Sequence, residues 1–285
     1  MAKPPIGPIL AALAIPIAVM AHAATWIQPA RPLSRDELLE LAVSESDAIG
    51  VGRVAGVHDT LANVVNGVGI PVRSMTVEIS EWLLGRPGTS AIEVCVPSAD
   101  SSPLFSDILL TQGLSDRQAV FFLDRAGAGW SLRAYPDPPA VQFLESRSAA
   151  LSVSDLRRAI ARQSPDSLMA RADLIVVGSR GEQASRCPSG ALERECVTVR
   201  VKNVLAGGPA PDSLRAYSVM MGHIPAGDAL YLLKRMPVGD FETVGFRSGS
   251  LSIKSGRVDQ WGLTLDQVRA RVLATRASTQ RAKPR

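Results

Sequence analysis

An internal repeat constrains the fold of this chain more than any other feature of its sequence. The phrase SDAIGVGRV occupies residues 46–54, and ADLIVVGSR occupies residues 172–180. The segment MTVEISEWLLGRPGTSAIEVCV at 75–96 aligns without a gap to VTVRVKNVLAGGPAPDSLRAYS at 197–218. The period is close to the length of a domain and far longer than a solenoid repeat. The sequence therefore predicts two tandem copies of one fold.

Two further blocks follow in the same order in both copies. AVFFLDR at 119–125 matches ALYLLKR at 229–235, and LSVSDLRRAI at 151–160 matches LTLDQVRARV at 263–272. The first block is almost wholly apolar, which is typical of a central strand that is covered on both faces. The second block predicts a helix that closes each copy.

The segments at 75–96 and 197–218 each begin with a predicted bent strand. Val77 and Ile79 alternate with polar residues, as in a strand with one buried face. The next large apolar residue is Trp82, three positions on, and copy two has the same step from Val201 to Val204. Because a three-residue step breaks the strand period of two, we expect a β-bulge here in both copies.

Helices are expected at both ends of each copy. Ser34-x-x-Glu37 is a capping box before copy one, and SPDSLMARA at 164–172 precedes copy two. Ser154 and Thr264 are the N-cap candidates for the two closing helices. Each copy is thus predicted to consist of a helix, five or six antiparallel strands and a second helix.

This element order predicts a mainly β fold with flanking helices, in the α+β class. Five curved strands, one of them long and bulged, favour two tandem antiparallel OB-like β-barrels; two β-sandwiches are the alternative. The predicted organisation is a signal peptide at 1–23, a first barrel domain at 33–162, a second at 163–274 and a disordered basic tail at 275–285.

The first residues predict export. Lys3 precedes an apolar run from Ile9 to Ala21, and Ala21-His22-Ala23 is an A-x-A cleavage site. The run is too short to span a bilayer. We therefore expect cleavage near Ala23 and a periplasmic or extracellular location, with an uncleaved membrane anchor as the alternative.

The three cysteines are interpreted in the light of export, because an exported chain meets oxidising conditions. Cys187 and Cys196 flank a Pro-Ser-Gly turn, so we expect a disulfide that closes a short loop. Two unpaired thiols are the alternative. Cys95 lies in an apolar strand and is expected to be a buried thiol.

The sequence contains neither a G-x-S-x-G nucleophile elbow nor a phosphate-binding loop. His58 and His223 are the histidines beyond the predicted signal peptide, and neither has a second His or Cys at ligand spacing. A Cys187–His223–Asp228 nucleophile set can be drawn, but Cys187 has a better partner in Cys196. We expect no enzyme, no cofactor and no metal.

Basic side chains are concentrated in copy two, since residues 161–285 hold 19 Lys and Arg against 11 Asp and Glu. Arg200, Lys202 and Arg215 lie on predicted strands and form a possible basic binding face; alternatively they keep the outer face hydrated. Export and the scarcity of aromatic residues argue against nucleic acid. We expect a protein or an anionic glycan of the cell envelope as the partner.

The run from ADLIVVG through VTVRVKNVLAGG and GDALYLLKR to LTLDQVRARV resembles a domain common in exported, mostly uncharacterised bacterial proteins. That domain is similar in layout to the OB-like barrel of tissue inhibitors of metalloproteinases and netrin modules. The inhibitors place a Cys at the mature N-terminus to ligate the protease metal. The expected mature start here is Ala24-Thr25-Trp26, so the sequence gives no support to that mechanism.

The sequence predicts a non-enzymatic exported protein that binds or scaffolds a partner. The strands agree between the copies whereas the connecting segments differ, so partner contacts are expected in loops such as 98–111 and 181–192. The alternatives are a loop-based protease inhibitor and, with less support, a thiol-dependent hydrolase that requires a free Cys187.

Overall fold

The computed structural model of the chain contains two closed five-stranded barrels with flanking helices, which confirms the predicted fold class. The barrel alternative is thereby preferred to the sandwich. The residues that the structure describes are 33–62, 70–85, 88–96, 117–126, 129–133, 141–144, 152–183, 195–218, 223–237 and 239–281.

Barrel one is a ring of strands in the order β1–β2–β3–β5–β4, closed by pairing of β4 with β1. The pair β3–β5 is parallel and the other pairs are antiparallel. Its elements are α1 (Arg35–Glu45), β1 (Ala48–Ala62), β2 (Ile70–Leu84), β3 (Ala91–Val96), β4 (Ala119–Ala126), β5 (Gly129–Leu132), β6 (Val141–Phe143) and α2 (Val153–Arg162).

Barrel two has the same ring order, β7–β8–β9–β11–β10, closed by pairing of β10 with β7. Again one pair, β9–β11, is parallel. Its elements are α3 (Pro165–Arg171), β7 (Leu174–Gln183), β8 (Glu195–Ala206), β9 (Ser213–Ser218), β10 (Asp228–Arg235), β11 (Phe241–Thr243), a 3-10 helix (Phe246–Gly249), β12 (Ser250–Lys254), β13 (Arg257–Val258), β14 (Leu263–Thr264) and α4 (Leu265–Arg281).

The predicted bulge is present at matching places in both barrels. The register of β1 on β2 shifts between Val51 and Gly52. The register of β7 on β8 shifts in the same way between Val177 and Gly178. A bulge increases the local twist and bends the strand, which lets a long strand curve around a small barrel.

An aspartate in front of the first strand fixes each barrel at the junction of its first and fourth strands. The Oδ2 atom of Asp47 accepts a hydrogen bond from the backbone N–H of Arg125 at 2.7 Å. Asp173 accepts the equivalent bond from Arg235 at 2.8 Å. Each aspartate also donates its own backbone N–H to the fourth strand. The repeated aspartate is therefore a structural feature.

The fourth strand of each barrel is buried on both faces, as its apolar sequence predicts. Phe121 and Leu123 face the interior of barrel one. Val120 and Phe122 pack on the other side with residues of α1 and α2. The side chains of β10 divide in the same way between the interior of barrel two and helices α3 and α4.

Two of the three predicted helix caps are correct. The capping box at Ser34 is present, and the Oγ1 atom of Thr264 accepts the backbone N–H of Gln267 at 3.2 Å. The prediction for α2 is wrong by two residues, because the helix begins at Val153 and its cap is Ser152. The side chain of Ser154 instead lies 2.8 Å from the Ser152 hydroxyl.

Helix α4 extends further than the sequence predicts. Residues 275–281, expected to belong to a disordered tail, are helical. Part of the reason is Arg276, whose Nη2 atom donates to the carbonyl oxygens of Ala172 at 3.2 Å and Asp173 at 3.3 Å. These bonds fix the later turns of the helix to the entry of barrel two.

The predicted signal peptide at 1–23 and the last four residues, 282–285, lie outside the described residues. In the part of the chain that the structure describes, no helix has the length and apolarity needed to cross a membrane.

Candidate functional site

The predicted basic face lies on the outside of barrel two. Arg200 and Lys202 alternate on the exposed side of β8, and Arg215 on the neighbouring strand β9 is opposite Thr198. Strand alternation therefore brings the three cations onto one surface, as the sequence predicts. Their role in binding stays a prediction.

Carboxylates offset much of the charge on this basic face. The Nζ atom of Lys202 lies 2.7 Å from Oδ1 of Asp228, and Nε of Arg215 lies 3.3 Å from Oδ1 of Asp240. Arg200 has no ion pair with another described residue. An anion that bound here would have to compete with two carboxylates, so the face is a weaker anion site than its sequence suggests.

An open groove crosses the outside of barrel one. Its volume is about 570 Å³, within the usual range of small-molecule sites, about 300–1,000 Å³. We call it the barrel-one groove. The residues that define it come from β1, β2 and the segments before β3 and β4: Gly52, Arg53, Glu78, Ser80, Ser90 and Gln118.

The barrel-one groove carries polar side chains without a large net charge, and Ile79 and Ala91 add apolar surface to its lining. The Nη2 atom of Arg53 lies 2.8 Å from Oε2 of Glu78, and both side chains are about half exposed. The Ser80 hydroxyl donates to a backbone carbonyl oxygen of β1 at 3.0 Å. Ser90 and Gln118 are exposed. The groove thus presents hydroxyl, amide, guanidinium and carboxylate groups without a large net charge.

The arrangement that most resembles catalytic machinery is a buried trio between the barrels. The Oγ atom of Ser218 lies 3.2 Å from Nδ1 of His223, whose Nε2 lies 2.9 Å from Oε1 of Glu45. A serine hydrolase has the same three residue types but uses the histidine in the opposite orientation. Ser218 is 0% exposed and His223 is 6% exposed. Both side chains are therefore buried, and the trio joins α1 of barrel one to barrel two.

The Cys187–His223–Asp228 set, which the sequence already made a poor candidate, gains no support from the described residues. His223 faces Glu45 and Ser218, whereas Asp228 contacts Lys202. Cys187 lies outside the described residues.

Its predicted disulfide partner, Cys196, is buried near the start of β8. The Cys187–Cys196 disulfide stays a prediction. The side chain of Cys95, on β3, is also outside the described set.

His58 lies within β1, which continues to Ala62. Its Nε2 atom lies 2.9 Å from Oε1 of Glu93 on the outer surface. Among the described residues, no group of three or more His, Cys, Asp or Glu side chains is arranged to hold a metal ion.

The carboxyl of Asp124, which lies between the barrels, has a raised pKa. Burial raises the pKa of Asp124 from 3.8 to about 6. The guanidinium of Arg133 opposes this shift, the carboxylates of Asp47 and Glu45 add to it, and Arg247 of barrel two also opposes it. The shift reflects desolvation of a carboxyl that faces charges from both barrels.

We predict that Asp124 makes the protein less stable as the pH rises from about 4 to about 6. In this window the native state binds the proton and the unfolded chain does not, so the free energy of unfolding falls with pH. Asp124→Asn is expected to flatten this part of the profile and to stabilise the protein at pH 7 by about 1 kcal/mol, a value discounted for partial exposure. Urea unfolding between pH 4 and pH 7.5 measures both effects.

The control for this prediction is Asp155→Asn. Hydrogen bonds from Ser152 and Arg35 lower the pKa of the Asp155 carboxyl, so its effect on the pH profile has the opposite sign. An Asp124→Asn profile with the slope of the unsubstituted chain would contradict the assignment.

The sequence contains only a weak signal for the barrel-one groove. When the two copies are aligned, Glu78 corresponds to Arg200 and Ser80 corresponds to Lys202. An acidic and a hydroxyl side chain on this strand of copy one are thus basic side chains in copy two. The two cations stand out in the sequence, whereas Glu78 and Ser80 do not.

Comparison with known proteins adds no assignment. No family model matches this chain, and no curated protein matches it. One solved structure, described as a murine DNA-binding protein bound to double-stranded DNA, is similar at 8% sequence identity and a TM-score of 0.20. The similarity covers 70% of this chain and 94% of that chain. A TM-score this low carries no argument about fold or function.

Proposed function

We propose that this chain is a non-enzymatic exported binding protein whose partner is a glycan of the cell envelope. The observation that carries the proposal is the open barrel-one groove, in which hydroxyl, amide and charged side chains lie beside the apolar Ile79 and Ala91. OB-like barrels bind oligosaccharides and oligonucleotides on the face of their second and third strands. The groove lies over β1 and β2 and borders that face at Glu78 on β2 and at Ala91, the first residue of β3.

A protein partner has less support than a glycan. The centre of a protein interface is usually rich in aromatic and other apolar side chains. Among the described residues, Val57 on β1 and Leu273 on α4 are the exposed large hydrophobic side chains. Two separate aliphatic residues do not form such a centre, whereas hydroxyl, amide and charged groups suit a sugar.

Nucleic acid also has little support. Single-stranded nucleic acids are held by aromatic platforms in a positively charged groove. Among the described residues that line the barrel-one groove, the cation Arg53 is paired with Glu78 and none is aromatic.

An enzymatic function has less support among the described residues, and the thiol-dependent hydrolase needs a free Cys187, which lies outside them. The hydroxyl of Ser218 is buried with its histidine. We retain the Cys187–Cys196 disulfide as part of this proposal, because it removes the thiol that a hydrolase would need. Mass spectrometry of the exported protein tests both this bond and the signal peptide. The expected chain begins at Ala24 and gains the mass of two hydrogens on reduction, located at Cys187 and Cys196.

Co-sedimentation with bacterial cell envelopes tests the proposed function. Purified mature protein is expected to pellet, in a saturable manner, with envelopes whose proteins have been removed by protease. Prior cleavage of the glycan strands with lysozyme is expected to leave it in the supernatant. Binding that protease treatment abolishes would identify a protein partner and contradict the proposal, as would a failure to pellet with any envelope preparation.

A further inference from the structure

We infer that the barrel-one groove is a binding site for a neutral oligosaccharide, and that an ion pair closes the equivalent position of barrel two. This inference rests on the proposed function and adds to it a location and a ligand class. It depends on comparing the same framework positions in the two barrels, where the backbone is alike and the outward side chains differ.

The floor of the groove has an equivalent in barrel two. Gly52 lies opposite Ile79 on one side and Ala119 on the other. Gly178 lies opposite Val201 on one side and Ala229 on the other. The residues that follow Ile79 and precede Ala119 therefore correspond to those that follow Val201 and precede Ala229.

At these positions barrel one has Ser80 and Gln118, and barrel two has Lys202 and Asp228. The Nζ atom of Lys202 contacts both carboxylate oxygens of Asp228, at 2.7 and 2.8 Å. Since one residue lies on β8 and the other on β10, the pair extends over β7 near Gly178. The short Ser80 and the neutral Gln118 leave the same space open in barrel one.

The lining of the groove selects for a neutral polar ligand. Arg53 and Glu78 compensate each other at 2.8 Å, so neither a cation nor an anion gains a net attraction. Ser90 and Gln118 are exposed and present hydroxyl and amide groups that can donate to and accept from neighbouring hydroxyls. Vicinal hydroxyls of a sugar present the paired donors and acceptors that such side chains bind.

Transfer of the ion pair from barrel two to barrel one tests the inference. The double variant Ser80→Lys with Gln118→Asp is expected to close the groove and weaken binding at least tenfold. Isothermal titration calorimetry with chitohexaose, cellohexaose and maltohexaose measures the affinity, with a heparin hexasaccharide as the anionic probe. We expect at least one neutral hexasaccharide to bind the unsubstituted chain and the heparin fragment to bind more weakly.

The matched control is Lys202→Ser with Asp228→Gln, which opens the equivalent position of barrel two and is expected to leave the affinity of barrel one unchanged. The closing variant should fold normally, because both positions are exposed and barrel two contains the same pair. Gln118→Ala is a second test that leaves the groove open, and it is expected to weaken binding several-fold.

Two results would overturn the inference. The first is that the closing variant and Gln118→Ala both bind the neutral hexasaccharide with unchanged affinity. If the protein still bound envelopes, the proposed function would stand without this location for the site. The second is that no neutral hexasaccharide binds the unsubstituted chain. Failure of the unsubstituted chain to bind envelopes is a separate result, and it would contradict the proposed function itself.

Discussion

Replacing Glu40 by alanine is expected to lower the free energy of unfolding by about 2–3 kcal/mol. Removing one partner of a buried ion pair typically costs about 3–5 kcal/mol because it leaves an uncompensated charge. Glu40 on α1 is 5% exposed, and its carboxylate is 2.8 Å from Arg171, 3.2 Å from Arg162 and 3.1 Å from the amide of Gln163. The expected value lies below that range because both arginines keep some contact with water.

The effect of Glu40→Ala should extend beyond barrel one, because the carboxylate joins three helices. Arg162 ends α2, and Arg171 ends α3, the first helix of barrel two. We therefore expect denaturant unfolding of the variant to separate into two transitions, one for each barrel, where the unsubstituted chain shows one.

Asp36→Ala is the matched control for Glu40→Ala. Asp36 is on the same helix and contacts the same Arg162 at 3.2 Å, but its side chain is 67% exposed. An exposed ion pair contributes about 0–1 kcal/mol, so the control should be nearly neutral. Equal effects of the two substitutions would show that burial of Glu40 does not determine the stability of the junction.

Gly52→Ala is expected to destabilise barrel one by about 3 kcal/mol, at the upper end of the cost of overpacking. A Cβ atom at this position would lie 2.2 Å from the backbone carbonyl oxygen of Glu78, which cannot move without breaking the β1–β2 pairing. Gly178→Ala is expected to act similarly in barrel two, where the distance to the carbonyl oxygen of Arg200 would be 2.6 Å. Thermal or urea unfolding measures both.

The control for this prediction is Gly56→Ala, in the same strand. A Cβ atom at Gly56 meets no atom within 4 Å. The substitution should be neutral or stabilising by up to about 1 kcal/mol, because it restricts the unfolded chain. Equal stability of Gly52→Ala and Gly56→Ala would contradict the claim that β1 and β2 approach too closely at Gly52 to admit a Cβ atom.

The barrels and their bulges could be predicted because they depend on local patterns. Alternation at Val77 and Ile79 marks the buried face, and the three-residue step to Trp82 marks the bulge. Repetition of both features in a second copy made the interpretation firm. The cap of α2 was misplaced because Ser152 and Ser154 are equivalent candidates by residue type.

The end of α4 and the junction between the barrels could not be predicted, because they depend on residues distant in sequence. Arg276 binds carbonyl oxygens at the entry of barrel two. Glu45 and His223 meet only because the two barrels pack together. In the sequence, Glu45 is a single acid at the end of a helix and His223 is a single histidine in a loop. Neither position indicates that the other is its partner.

The barrel-one groove could not be predicted from the sequence for a different reason. A groove is defined by side chains that are small or neutral, and Ser80 and Gln118 have no distinctive pattern. The cations Arg200 and Lys202 were more conspicuous, but in the structure Lys202 forms an ion pair with Asp228. Only the shared framework of the two barrels makes the open position visible.

Hydrogen–deuterium exchange tests the central claim most directly. The mature chain is compared with and without the neutral hexasaccharide that binds it most tightly. We predict slower exchange in barrel-one peptides that cover residues 50–54, 78–80 and 117–119, with the equivalent peptides of barrel two unchanged. Protection confined to barrel two, or bound sugar without protection at these three segments, would contradict the claim that barrel one holds the ligand in its open groove.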